Sequence, residues 1–117
     1  MNRRVGVTGG RDFTNEELAR CALELLLPND IIIHGAARGA DSLFARLASE
    51  AGFQTVAYPA DWNKHGKAAG PIRNQEMLKS GLDLLIVFPG GKGTEHMTNI
   101  CRRARVSLAF PALMFGD

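Results

Sequence analysis

The sequence predicts an α/β fold, with a mainly parallel sheet of about five strands and helices on both faces. Three observations predict it. Short apolar runs alternate with segments of helical periodicity along the whole chain. The run "DLLIVF" is continuously apolar, as in strands covered on both sides. The glycine-rich segments all fall after a strand and before a helix, on the edge where open α/β sheets bind ligands.

The elements follow in order. "RRVGVT" is a first strand. "TNEELARCALELLLP" is a helix, with Thr14 and Glu17 as a capping box and Leu18, Cys21, Ala22, Leu25 and Leu26 as its apolar stripe. Pro28 stops it. "DIIIH" is a second strand. Asp41 is placed to cap the next helix, whose stripe is Leu43, Phe44, Leu47, Ala48 and Ala51, and Gly52 closes it. "QTVAY" is a third strand. After the long connection "PADWNKHGKAAG", Pro71 starts a third helix that ends near Gly81. "DLLIVF" is the fourth strand. Thr94 is expected to cap a fourth helix that turns Met97, Ile100, Cys101 and Ala104 inward. "VSLAFPALM" supplies a last strand, which Pro111 ends or places at an edge.

The 117 residues suggest one domain over 1–117. A chain of this length buries roughly 65% of its unfolded surface and needs no covalent staples. An apolar content of 45% and a charged content of 22% are ordinary for a soluble globular protein. No apolar run approaches the ~20 residues that span a bilayer. "MNRRVGVTGG" lacks the apolar stretch of a signal peptide and reads as a strand. Cys21 and Cys101 fall on inner helix faces as reduced thiols, so a cytoplasmic location is expected. The net charge of +2 does not imply a nucleic-acid partner.

Four strand-to-helix loops carry the chemistry. In "PGGKGT", Gly90, Gly91 and Gly93 let a ligand approach the backbone, and the free N–H groups of the following helix point the same way. Together they suit a phosphate. The competing reading is a tight turn with no ligand. In "TGGRDF", Gly9 and Gly10 bring backbone close, Arg11 suits a phosphate and Asp12 suits ribose hydroxyls; a surface Arg–Asp pair is the alternative. "HGAARGADS" repeats the pattern with Gly35, Arg38, Gly39, Asp41 and Ser42, although Asp41 as a simple helix cap is equally open and His34 reads as structural. The long loop exceeds the usual two to six residues of such connections. Its Trp62 either stacks on a base or covers the edge of the core, and Lys64, His65 and Lys67 read as solvated charges. Arg73 and Asn74 are expected in a helix's first turn, where a cation opposes the dipole and calls for an anion.

Several functions find no support. Lys92 is misplaced for a P-loop, and G-x-G-x-x-G is absent. The three histidines are scattered and the cysteines lack ligand partners, so no metal is expected, and no cofactor. A G-x-S-x-G elbow is missing.

Taken together, "VTGGRDF", "HGAARGADSLFARLA", "PADWNKHGKAAGPIRNQEML" and "VFPGGKGTEHM" resemble the YspA-type (cpYpsA-related) branch of the SLOG superfamily, which joins the SMF/DprA and Lonely Guy proteins. The resemblance runs from about Val5 to Ala104. It implies a Rossmann-like three-layer sandwich and a nucleotide or nucleotide-derived ligand, held by a sensor or sequestering domain. Lonely Guy enzymes are phosphoribohydrolases with a signature like P-G-G-x-G-T-x-x-E. Here Pro89, Gly90, Gly91, Gly93 and Thr94 match its phosphate-binding part, and Arg73 falls where a catalytic arginine is expected. The glutamate is replaced by Met97. Glu95 is rotated about 200° around the helix. An enzyme of this type, an N-glycosidase on a nucleoside monophosphate or an NAD-like molecule, would therefore need Asp12 or Glu76 as its carboxylate beside Arg73. Small relatives often pair through helices, so a homodimer or larger assembly is expected. Neither a membrane nor DNA is an expected partner.

Overall fold

A computed structural model describes residues 2–116. Five strands, β1 (Arg4–Thr8), β2 (Ile31–His34), β3 (Gln54–Ala57), β4 (Leu84–Val87) and β5 (Ser107–Ala109), form one sheet. Its order is β3-β2-β1-β4-β5, and every pair is parallel. The helices are α1 (Glu16–Ala22), α2 (Ala40–Glu50), α3 (Trp62–His65), α4 (Ala69–Lys79), α5 (Lys92–Arg103) and α6 (Pro111–Met114). One core layer packs α1, α2 and α6 through Leu18, Ala22, Phe44, Leu47 and Ala112 onto Val5, Val7, Ile32 and Ile86. The other packs α4 and α5 through Met77, Met97, Ile100 and Cys101 onto Ile33, Leu85 and Val87. Alternate residues of β4 feed opposite layers, which explains why that strand is apolar throughout and buried at all four positions. Among the described residues no helix is long and apolar enough to cross a membrane.

Several expected boundaries move, each for a local reason. The cap of α1 is Asn15, whose side chain accepts from the Leu18 amide at 3.0 Å, so there is no Thr14–Glu17 capping box. Leu23–Leu25 continue as a single 3-10 turn. Asp41 lies inside α2, whose N-cap is Gly39 at φ 88°. Thr94 is the third residue of α5, which starts after Gly91. The connection after β3 is itself helical over Trp62–His65 and Gly66–Ala68, so α4 begins before Pro71 and Arg73 sits beyond its first turn. Pro111 starts α6, next to the edge strand β5. Gly52 follows the C-cap of α2 at φ 96°, and the Phe53 amide reaches back to Ala48 O at 2.9 Å.

The chain leaves β1 toward one side of the sheet and later returns to pair β4 on the other. The loops after β1 and β4 therefore part at this switch point, over residues 9–15 and 88–91. Glycines hold their bases together. Gly10 N donates to Pro89 O at 2.8 Å, and Gly10 O accepts from Ala40 N at 3.1 Å. A Cβ on Gly90 would stand 2.6 Å from Gly10 N, and one on Gly39 would stand 2.5 Å from Arg11 O. A Cβ on Gly9 would meet Ala40 Cβ at 2.5 Å and Phe88 Cβ at 2.8 Å. Among the described residues no such contact exists at Gly91 or Gly93. Gly9→Ala should therefore cost about 1–3 kcal/mol in urea unfolding. Gly93→Ala, with open space and a place within α5, should be neutral or gain about 0.5 kcal/mol. Equal effects at the two positions would contradict this packing.

Candidate functional site

A cleft of about 1110 Å³ opens at the switch point, between the loops after β1 and β4 and the start of α4. Of the residues expected to bind a ligand, it gathers Gly9, Gly10, Arg11, Asp12, Asp41, Trp62, Arg73, Asn74, Pro89, Gly90, Gly91, Gly93 and Thr94. Gly35 and Arg38 line an adjoining recess instead. Gly39 is turned against Gly10 and Arg11. Ser42 lines neither cavity, and its hydroxyl is spent on Ala37 O at 2.7 Å. Glu76 is exposed on α4 and also lines neither, which removes it as a carboxylate for the cleft.

The loop amides divide sharply. Gly10 N is used by Pro89 O and Gly35 N by the Asp41 carboxylate, so those two glycines do not offer the donors expected of them. The amides from Gly90 to Thr94 meet no acceptor among the described residues; the first bond of α5 runs from Glu95 N to Gly91 O at 3.0 Å. These are the free donors of a 12-residue helix, and their segment lines the cleft.

Asn74 organises the facing wall. It is 5% exposed. Its Oδ1 accepts from Arg73 Nε at 3.0 Å, which fixes the amide so that Nδ2 faces His96 Nδ1 at 3.0 Å and Gly93 O at 3.4 Å. With Asn74 Nδ2 donating, His96 Nδ1 is the acceptor of that bond. Arg73 Nη1 donates to the carbonyls of Gly35 and Tyr58 at 2.6 and 3.5 Å. Burial lowers the Arg73 pKa first, opposed by the field of Asp41 and helped by Arg11.

His96, Lys67 and Lys92 line the cleft and were not expected there. His96 carried a partial signal: it lies three residues past Gly93, one turn along the same helix. The two lysines carry no sequence signal that separates them from solvated charges. The buried Met77 and Met97 lie beneath as an apolar floor. Arg11, Lys67, Arg73 and Lys92 outnumber the carboxylates Asp12 and Asp41 in the lining, which favours an anionic occupant. Among the described residues, no group of three or more His, Cys, Asp or Glu side chains gathers to hold a metal.

An all-parallel, doubly wound sheet with a crevice at its switch point defines a Rossmann-like domain. The chain belongs to the YspA, cpYpsA-related SLOG family, whose model matches residues 3–65. It is similar to the Gene 61 protein of Mycobacterium phage D29, at 37% identity over a 131-position alignment covering 98% of each chain. It also resembles DNA processing protein A (DprA) from Streptococcus pneumoniae, known from an X-ray structure, with a TM-score of 0.56 and 14% identity. That match covers 99% of this chain and 62% of the DprA chain, and it is a likeness of fold.

Asp41 gives the site a pH signature. Burial raises its carboxyl from 3.8 to about 6, against the lowering effects of the Gly35 amide, Arg73 and the Ala37 amide. Below the lower value the group is protonated in both folded and unfolded chains. Between the two values the folded chain keeps a proton that the unfolded chain has lost, so this group's contribution to stability falls as pH rises through that window. The change is on the order of 2–3 kcal/mol. Asp41→Asn should remove it. The difference in urea stability between wild type and Asp41→Asn should shift in favour of the variant from pH 4 to pH 7. A difference independent of pH would refute the assignment.

Proposed function

We propose that this chain binds a nucleotide or nucleotide-derived small molecule, as a sensor or sequestering domain, with a phosphate at the start of α5. The carrying observation is the run of unpaired amides from Gly90 to Thr94 along the cleft. Each amide bond to a charged oxygen contributes about 1.5–3 kcal/mol, and the helix dipole adds about 0.3–1 kcal/mol. Beyond that phosphate, Arg73 and Arg11 offer positive charge to the rest of the ligand, Asp12 suits ribose hydroxyls, and the half-exposed Trp62 suits a base. Membership of the SLOG family supports a nucleotide-related role.

Binding is favoured over glycosidic cleavage because the carboxylates are poorly placed. Met97, three residues past Thr94, is fully buried. Glu95 lines a separate depression with Thr98 and Leu113. The Asp12 side chain is fully exposed. Asp41 is buried, with amides already on its oxygens. The DprA neighbour is named for DNA processing, but a formal charge of +2 argues here for a small ligand. We extend the proposal to a homodimer or larger assembly and to the cytoplasm, whose reducing conditions suit the free thiols Cys21 and Cys101.

Calorimetry with a panel of nucleoside monophosphates should show binding, and chromatography of the same mixtures should show neither free base nor ribose phosphate. Either product would overturn the non-catalytic reading. Gly91→Asp should abolish binding with an unchanged melting curve, since a Cβ there meets nothing within 4 Å. Unchanged affinity would refute the phosphate position.

A further inference from the structure

Beside the main cleft lies a recess of about 290 Å³ between the loops after β2 and β3. Arg11, Arg38 and Arg73 line it, together with Trp62, and among the described residues no carboxylate does. Arg73 is held by neutral acceptors, the carbonyls of Gly35 and Tyr58 and the amide oxygen of Asn74. Among the described residues no carboxylate lies within 4.0 Å of its guanidinium. Asp41 stands across Gly35, with Oδ2 taken by the Gly35 amide. Arg38 meets Asp12 at 3.7 Å, but both side chains are exposed, and such a pair contributes little. Arg11 lies over the Trp62 ring at 5.5 Å and close enough to Arg73 to disfavour its charge. Three cations thus converge on a concave space, offset in part by the field of Asp41 on Arg73 and by the exposed Asp12 beside Arg38, and an entering anion would relieve their mutual crowding.

The recess adjoins the cleft, since Arg11, Ala37, Trp62 and Arg73 line both. The cleft alone is larger than most small-molecule sites, roughly 300–1,000 Å³. We propose that the recess is a second anion subsite, and that the ligand is a nucleotide with two separated anionic groups. One group sits on the amides of α5 and the other among Arg11, Arg38 and Arg73. This inference rests on the phosphate position proposed above and adds a requirement on the ligand's far end.

The test titrates the intact, ¹⁵N-labelled protein with inorganic phosphate, against sodium chloride at matched ionic strength. It follows the amides of Gly91–Thr94 and the Nε–H signals of Arg11, Arg38 and Arg73. Both groups should move with phosphate and not with chloride. Arg38→Ala, at an exposed position, should weaken the recess response about tenfold and leave the amide response intact. Movement of the amides alone, or recess shifts that chloride reproduces, would overturn the second subsite while sparing the first. Silence of the Gly91–Thr94 amides would overturn the first site, and with it the two-anion ligand.

Discussion

Three loops meet on one backbone unit, Gly10, and the site depends on that meeting. Its N–H holds the loop after β4 through Pro89 O, and its carbonyl holds the start of α2 through Ala40 N. Peptide groups approach this closely only without side chains, and a Cβ on Gly9, Gly39 or Gly90 would fall into a neighbour at each contact. The sheet supplies the platform, since pairing of β1 with β4 brings two loops out side by side at the switch point. With their bases locked, the N–H groups from Gly91 to Thr94 stand without an acceptor among the described residues.

This division gives the glycines two physical purposes. Gly10, Gly39 and Gly90 clear space for the protein's own backbone, Gly9 clears it for the Cβ atoms of Ala40 and Phe88, and Gly35 clears it for the Arg73 guanidinium and the Asp41 carboxylate. Gly91 and Gly93 face open space, beside amides that no acceptor among the described residues satisfies. Across the cleft, one buried amide, Asn74, ties Arg73 to His96 and Gly93. The wall that carries cationic charge and the helix that offers N–H groups are therefore held in mutual register by a side chain that itself titrates nothing.

The layered fold was legible because its signals are local and periodic. The strand runs, the spacing of Phe44, Leu47 and Ala48, and Gly52 after α2 each depend on a few neighbouring residues. The edge carrying the cleft was legible too, since a parallel sheet sorts its loops by direction alone. What was not legible rests on contacts between residues distant in sequence. The sequence cannot reveal that Gly10 is consumed by Pro89, or that the Asp41 carboxylate turns back to Gly35 instead of capping its helix. Glu76 lies outside the cleft because α4 buries Asn74 and Met77 and leaves Glu76 on its exposed face. Thr94 missed the cap by three residues, because Gly91 already provides the non-helical conformation from which α5 starts.

The most direct measurement is a crystal structure of the protein grown with a nucleoside 5′-monophosphate. The account places the phosphate oxygens within hydrogen-bond distance of the amides between Gly91 and Thr94, with the sugar extending toward Arg73. A phosphate bound elsewhere, with these amides facing only solvent, would contradict it.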